Sequence, residues 1–393
     1  MLSCHPLCLD HLKPDEVAFL KATAEFCTTE IAPHAANWEE QEELPRELFT
    51  KAGRAGLMGI MAPAAVGGRG HGKLCYALAI IEVARHCGAF AMNLAAHNAL
   101  CVGHPLGFAS DELKQKIFPR AVNGDWMVAW ALTEPNAGSD TGGVETRATL
   151  RPDGTWEITG HKIYITMGLH SDRMIVMAVT GTTEKGKKEF SAFWIETKHS
   201  TPVRKVKTAG VRASNTSELK LERVTGELIG ARGSGQSAAL ACLDVGRIGI
   251  AGMSIGLARG AVAIAIERML TRVQFGKRLA EFQALQFKLA DCEVELRAAE
   301  ALLLQACVLA DRGQKHTLES SVAKLYASEA ASRACDRALQ ICGGWGYTRD
   351  THVERCWRDA RLCEIGEGSS EVQRIVISRA LLKSAADQRP GLS

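Results

Sequence analysis

The chain has 393 residues, 46% of them hydrophobic and 23% charged, with a formal net charge of +3 and a sequence pI of about 8.2. That length is too great for one ordinary core and predicts two or three domains of a globular protein. The charge is too mild to imply nucleic-acid binding, and no long Lys/Arg run occurs, so no nucleic acid is expected among its partners.

The first third reads helical. Residues 1–13 show neither the basic start and long apolar run of a secretory signal nor the Arg-rich amphipathic character of a transit peptide, which predicts a cytoplasmic, bacterial-type location. Pro14-Asp15-Glu16 opens a periodic stretch to about residue 32, with Val17, Leu20, Ala24 and Ile31 on one stripe. Pro45 starts a second helix, and residues 63–72, with glycines at 67, 68, 70 and 72, read as a loop. Apolar helices are expected over 74–86 and 89–106, with Pro105 ending or kinking the second, and a more polar one over 111–122. No apolar stretch reaches spanning length, since Asn93, His97, Asn98 and His104 interrupt residues 91–106, so no membrane is expected as a partner.

The pattern changes near Trp126. Residues 128–133, 156–166, 174–180 and 189–195 are rich in β-branched and aromatic side chains, Pro152-Asp153-Gly154 marks a hairpin turn, and 203–224 continues in the same manner. From Gly235 onward the pattern is helical again. Long stretches over 238–272, 279–312 and 318–341 suit a four-helix bundle closed by a helix that follows Ser370 and runs to about Leu382. The expected architecture is a multi-domain α+β fold: an N-terminal all-α domain over 1–126, a middle β-barrel-like domain over 127–231 and a C-terminal α-helical bundle over 232–393. The 13 cysteines, Cys4 and Cys8 among them, form no CxxC pair and no Cys/His metal spacing, so reduced thiols and no metal site are expected.

Five constellations carry chemistry. In Ile365-Gly366-Glu367-Gly368-Ser369-Ser370-Glu371, a carboxylate stands between two glycines just before a helix that Ser369 or Ser370 can cap. It can be a general base presented to a ligand, or an acid favoured at a helix start by the dipole. The loop Leu132-Thr133-Glu134-Pro135-Asn136-Ala137-Gly138-Ser139-Asp140 offers amides and hydroxyls for a ring or a phosphate, or merely joins strands. In Ile163-Tyr164-Ile165-Thr166, strand alternation places an aromatic and a hydroxyl on one face. Asp244 and Arg247, three apart on a helix, read as an exposed pair contributing about 0.2–0.5 kcal/mol. Finally, Arg272-Val273-Gln274-Phe275-Gly276 with Gln283, and Gln340-Ile341-Cys342-Gly343-Gly344-Trp345-Gly346, are a turn and a glycine-rich segment suited to a diphosphate.

The motifs around Thr133, Gly343 and Glu367, in this order and at these separations, resemble the acyl-CoA dehydrogenase family, and the likeness runs from about residue 12 to residue 383. The resemblance implies an FAD enzyme that desaturates an acyl-CoA thioester between its α and β carbons. Glu367 would remove the α-proton while the β-hydrogen leaves as hydride to the flavin, and electrons would pass on to an electron-transfer flavoprotein. By the same resemblance, Leu132, Thr133, Tyr164 and Thr166 would meet the flavin ring; Ser369 and Glu371 would lie on the cofactor beside the base. Arg272, Gln274, Phe275, Gln283, Gln340, Gly343 and Gly344 would hold the adenosine-diphosphate end of a neighbouring subunit's FAD. Ser139, Asp244, Arg247 and Gly368 would border the substrate. A shared cofactor implies a homo-oligomer, a tetramer built as a dimer of dimers. The chain has Asn136 where many members have Gly, and Tyr164 where many have Trp. Some relatives carry the catalytic glutamate at the position of Gly246, which leaves Glu367 as the base here. The stretch 243–251 resembles the short-chain branch, implying a short or branched-short acyl group. The alternatives are an oxidase or another oxygen-using flavoenzyme of the same fold, and a non-catalytic paralogue.

Overall fold

A computed structural model describes residue 8 and residues 10–387. Cys4, most of residues 1–13 and the last residues of the expected bundle domain lie outside the described residues. The N-terminal region is helical: α1 (Pro14–Phe26) continued by a wide π-type turn (Cys27–Ile31), α2 (Ala35–Gln41), α3 (Arg46–Arg54), α4 (Lys73–Ala84), α5 (Gly88–Ala96), a second π-type segment (His97–Val102), α6 (Gly103–Phe108) and α7 (Asp111–Ala121). The buried line of α1 and its extension is Glu16, Phe19, Leu20, Thr23, Cys27 and Ile31. It is rotated from the expected stripe, whose Val17 and Ala24 are only partly covered. Glu16 accounts for the rotation, because its carboxylate accepts the Lys13 amide at 3.0 Å and the Gly72 amide at 2.9 Å, turning that face toward the 63–72 loop. Pro105 neither ends nor interrupts the helical run; it falls within α6.

The middle region is a closed sheet. Its strands are β1 (Val128–Ala131), β2 (Arg147–Leu150), β3 (Trp156–Thr166), β4 (Arg173–Thr182), β5 (Lys188–Glu196), β6 (Thr201–Lys205) and β7 (Thr216–Ile229). β4 pairs with β5, β5 with β7, β7 with β3 and β3 with β2, all antiparallel, and β2 returns to β4 through the single parallel pair Arg147–Val179. β1 lies parallel to β4, and β6 lines β7. Alternate residues such as Ile158, Val176, Phe193 and Leu221 fill the interior, as a small barrel requires. The turn at Pro152-Asp153-Gly154 joins β2 to β3, where Arg151 N–H donates to Thr155 O at 2.8 Å.

The C-terminal region contains α8 (Gly235–Thr271), a two-residue ribbon of β8 (Val273–Gln274) and β9 (Lys277–Arg278), α9 (Gln283–Asp311), α10 (Thr317–Cys342), α11 (His352–Cys363) and α12 (Ser370–Asp387). The expected four helices thus gain a fifth. α11 carries three Arg, one Glu and one Asp, and its buried side combines Val353, Cys356, Ala360 and Cys363 with the charged Arg355 and Asp359, which obscures its apolar line in the sequence. α8 is the axis of the molecule: 37 residues, about 55 Å long. It is long and apolar enough to cross a bilayer, which corrects the expectation that no stretch reaches that length, yet it is mostly buried as a core helix. Its glycines bring it against backbone: a Cβ on Gly256 would stand 2.3 Å from Ile81 O, and one on Gly252 2.9 Å from Ala77 O. α4 and α8 therefore pack at close range, and the N-terminal and C-terminal helices share a single hydrophobic core.

Candidate active site

Glu367 sits in the short link between α11 and α12, in a left-handed conformation with φ 52°, followed by Gly368 with φ 97°. A non-glycine residue there costs on the order of 1–3 kcal/mol and persists only where its surroundings impose it. Two buried side chains supply that restraint. Lys324 of α10 donates to Gly368 O at 2.7 Å, and Gln373 of α12 donates to Glu367 O at 3.2 Å and Gly368 O at 3.0 Å. Ser369 caps α12 through the Val372 amide at 3.4 Å. Glu371 is exposed and bonds back to Ser369, which holds its carboxyl below the usual range.

The clamp points the Glu367 carboxylate at α8. A Cβ on Gly246 would lie 1.7 Å from Glu367 Oε2, so glycine is the residue that admits the acid here. Both carboxylate oxygens are buried and have no hydrogen-bond partner among the described residues. Burial pushes the carboxyl up to about 7, against the pull of Lys324 and Arg247. Arg247 is itself buried and bonds Asp244 Oδ1 at 2.6 Å, while Asp244 Oδ2 accepts from Thr317 at 2.6 Å. The pair expected to be a solvated surface bridge is thus an interior one, beside the acid. An unpartnered, buried carboxylate with a raised pKa is suited to taking a proton from a bound ligand near neutral pH. The sign of the pH dependence follows. The acid accepts a proton only when ionised, so kcat/KM measured across pH 5–9 is expected to rise through about 7 and then level off. A profile flat across that range would remove Glu367 from the proton transfer.

The loop after β1 is held from inside the barrel. Lys162 and Glu134 are both buried and meet at 2.7 Å; Lys162 Nζ also donates to Leu132 O at 3.0 Å and Met177 O at 2.8 Å, and Glu134 accepts the amides of Glu145 and Thr146. Thr133 O accepts the Ile163 amide at 3.1 Å. Leu132 and Thr133 are therefore fixed, whereas Ser139, farther along the loop, is exposed. Tyr164 adopts φ 58° at a break in the β3–β7 register, a bulge that strand alternation alone does not foresee. Ile163 and Ile165 point inward, leaving Tyr164 62% exposed and Thr166 partly exposed. A small cavity of about 20 Å³ lies between Leu132, Met177 and Phe190 of the barrel and Gln236, Ala239 and Leu243 of α8.

The remaining expected residues lie elsewhere. Arg272, Gln274, Phe275 and Gln283 stand at the far end of α8 and the start of α9, all exposed, with Phe275 93% exposed at φ 52°. The Arg272 side chain makes no hydrogen bond or ion pair with the described residues, while its backbone N–H donates to Arg268 O and its carbonyl accepts from Leu279, both at 2.9 Å. Gln340, Gly343 and Gly344 share that end, since Arg268 stacks on Trp345 at 4.8 Å. Between Gly246 and Arg272 run 26 residues of α8, about 39 Å. One chain therefore carries two separated groups of the expected residues, Glu367, Asp244, Arg247 and Gly368 at one place and the Arg272 group at the other.

The sequence reading did not single out Lys324, Gln373, Lys162 or Tyr76. A signal existed for the lysines. Lys324 lies on the small-residue face of α10 with Ala323, Ala327 and Ser328, and Lys162 follows Trp156 and Ile158 on the inward side of β3. A lysine on an apolar face marks an internal partner.

The fold and this site match one family throughout. Profiles described as the acyl-CoA dehydrogenase N-terminal, middle and C-terminal domains match residues 13–125, 129–224 and 233–382. The chain belongs to the acyl-CoA dehydrogenase family, a family of oxidoreductases. It is 39% identical over 377 residues to a Bacillus subtilis acyl-CoA dehydrogenase, covering 95% of this chain and 99% of that one. It is 38% identical over 361 residues to the CarC subunit of the caffeyl-CoA reductase–Etf complex of Acetobacterium woodii, covering 91% and 94%. The structure of butyryl-CoA dehydrogenase from Megasphaera elsdenii superposes with a TM-score of 0.91 at 36% identity, covering 95% of this chain and 99% of that one.

Proposed function

We propose that the protein is an FAD-dependent dehydrogenase of short or branched-short acyl-CoA thioesters, with Glu367 as the base. The observation that carries this reading is the Glu367 carboxylate, held in a strained turn, stripped of partners and seated on Gly246. The protein's residues suit the cofactor: an exposed aromatic at a bulge, Tyr164, lies beyond the fixed Leu132–Thr133 backbone, and Arg272, the glycine pair and Phe275 form an unpaired, exposed anion-binding end. When bound, FAD supplies the acceptor for the β-hydride. The protein's part is to hold the thioester with its α-carbon against Glu367, to keep water from the carboxylate and to remove the α-proton. The name of the butyryl-CoA dehydrogenase neighbour supports a short acyl group, and that of the Etf-complex relative supports an electron-transfer flavoprotein as acceptor. The direct test is anaerobic titration of the purified flavoprotein with butyryl-CoA. Bleaching of the flavin absorbance is the expected result, and a colourless protein, or a yellow one indifferent to every acyl-CoA, would overturn the reading.

The roughly 39 Å between the two residue groups supports a cofactor shared between subunits, the adenosine end of one held by Arg272 of the next. Arg272→Ala is then expected to weaken flavin retention and assembly together, the lost charge-assisted contacts costing about 1.5–3 kcal/mol. Gel filtration with flavin quantification checks it. A variant that stays fully loaded and fully assembled would make Arg272 a solvated turn residue.

A further inference from the structure

The face of α8 that carries the site continues past the base. Gln236, Ala239 and Leu243 line the small cavity beneath Leu132; Gly246 comes next and receives the Glu367 carboxylate; Gly249 follows one turn on. Gly249 meets a second side chain in the same way. A Cβ there would stand 2.2 Å from Tyr76 Oη and 3.2 Å from Ala95 Cβ. Tyr76 is fully buried on α4, and its hydroxyl donates to Ala95 O of α5 at 3.1 Å, tying two helices together at that level. A core tyrosine needs no more than that bond to be stable. What sets this one apart is its position in line with the acid, whose charge reaches it: burial and then Glu367 both push its phenol upward.

We infer that Tyr76 is the floor of the acyl compartment and restricts the substrate to short chains. The inference rests on the proposed dehydrogenase reading and adds the residue that sets chain length. A ligand entering along α8 from Leu243 places its α-carbon at Glu367. What lies beyond must fit into the rise of three helical residues, from Gly246 to Gly249, about 4.5 Å, before it meets the Tyr76 ring. That is room for a butyryl tail and not for an octanoyl one. The ring is fully buried between its neighbours, so the floor is fixed in place by packing.

The test compares kcat/KM for butyryl-CoA, hexanoyl-CoA and octanoyl-CoA in the full-length holoenzyme and in Tyr76→Phe, Tyr76→Leu and Tyr76→Ala. The wild type is expected to favour butyryl-CoA over octanoyl-CoA by at least about tenfold, the scale on which a closed apolar pocket rejects extra methylenes. Tyr76→Phe keeps the ring and should keep the preference. Tyr76→Ala should shift the octanoyl-to-butyryl ratio upward by at least about tenfold, with Tyr76→Leu between. Tyr76→Leu leaves less empty volume and serves the comparison if the alanine variant does not fold. Dissociation constants of the three acyl-CoAs in a Glu367→Gln background, measured by calorimetry, should follow the same order without turnover. A wild type that handles octanoyl-CoA as well as butyryl-CoA, or a ratio unmoved by opening position 76, would overturn the floor while leaving the dehydrogenase reading standing. Failure of every acyl-CoA to bleach the wild-type flavin would instead overturn the dehydrogenase reading itself.

Discussion

Glu367→Gln is expected to retain the fold, the flavin and the affinity for butyryl-CoA while turnover falls by about a hundred- to ten-thousand-fold, the range a positioned general base contributes. The substitution is nearly isosteric and asks for the same left-handed backbone, so Lys324 and Gln373 can still clamp the turn through the carbonyls of residues 367 and 368. Only the basic oxygen is lost. Neither Asp244 nor Glu371 is free to replace it. Both oxygens of Asp244 are committed, to Arg247 and to Thr317, and Glu371 is exposed and turned toward Ser369. The residual rate should also lose its inflection near pH 7, since the group that titrates there is gone. Rapid-mixing measurement of flavin reduction, alongside a binding titration, separates chemistry from affinity. Turnover within about tenfold of wild type would show that the proton leaves by another route.

Lys162→Met is expected to have the largest effect on stability, about 3–5 kcal/mol, because it strands a buried carboxylate. Lys162 has no exposed surface and Glu134 only 5%, and the pair closes the barrel end that carries Leu132 and Thr133. Burial lowers Lys162 to about 8, opposed by Glu134, while for Glu134 the pull of Lys162 and of two backbone amides outweighs burial and keeps the carboxyl below its usual value. Both groups are therefore charged at neutral pH, and removing one leaves the other uncompensated. The double variant Lys162→Met/Glu134→Gln should recover part of the loss, since an amide is cheaper to bury than a charge. Denaturant unfolding of the single and double variants gives the comparison, and flavin release should follow the single variant as Leu132 O loses its donor. A single variant within about 1 kcal/mol of wild type would mean that the pair is dispensable to the barrel.

The layout of helices, barrel and helices was legible because each region keeps one periodicity for a hundred residues or more, and the two glycines around Glu367 marked the acid. What was hidden depends on contacts between distant parts of the chain. Lys324 reads as an ordinary helix lysine until its partner, Gly368 O, is known to lie against it. Arg247 has the spacing of a surface ion pair, and only the packing of α8 inside the molecule makes it interior. The bulge at Tyr164 breaks strand alternation with no Gly or Pro to announce it, since the surrounding β7 register imposes the left-handed turn. α11 was hidden by composition, because two of the residues on its buried side, Arg355 and Asp359, are charged.

The length of α8 has a genetic consequence. If Arg272 of one subunit serves the site holding Glu367 of another, a single helix contributes to two catalytic centres that belong to different partners. A lesion at Glu367 and a lesion at Arg272 then disable complementary halves. In a mixed pair, the Arg272→Ala subunit supplies an intact Glu367, and the Glu367→Gln subunit supplies the intact arginine that serves it. One of the two centres is thereby wild type in every residue. Two alleles that are each defective when alone should rescue one another when co-expressed, to about a quarter of the native activity, since about half of randomly formed pairs are mixed and one of the two centres in each is intact. Alleles that fail to complement would place both residues in one subunit's own centre.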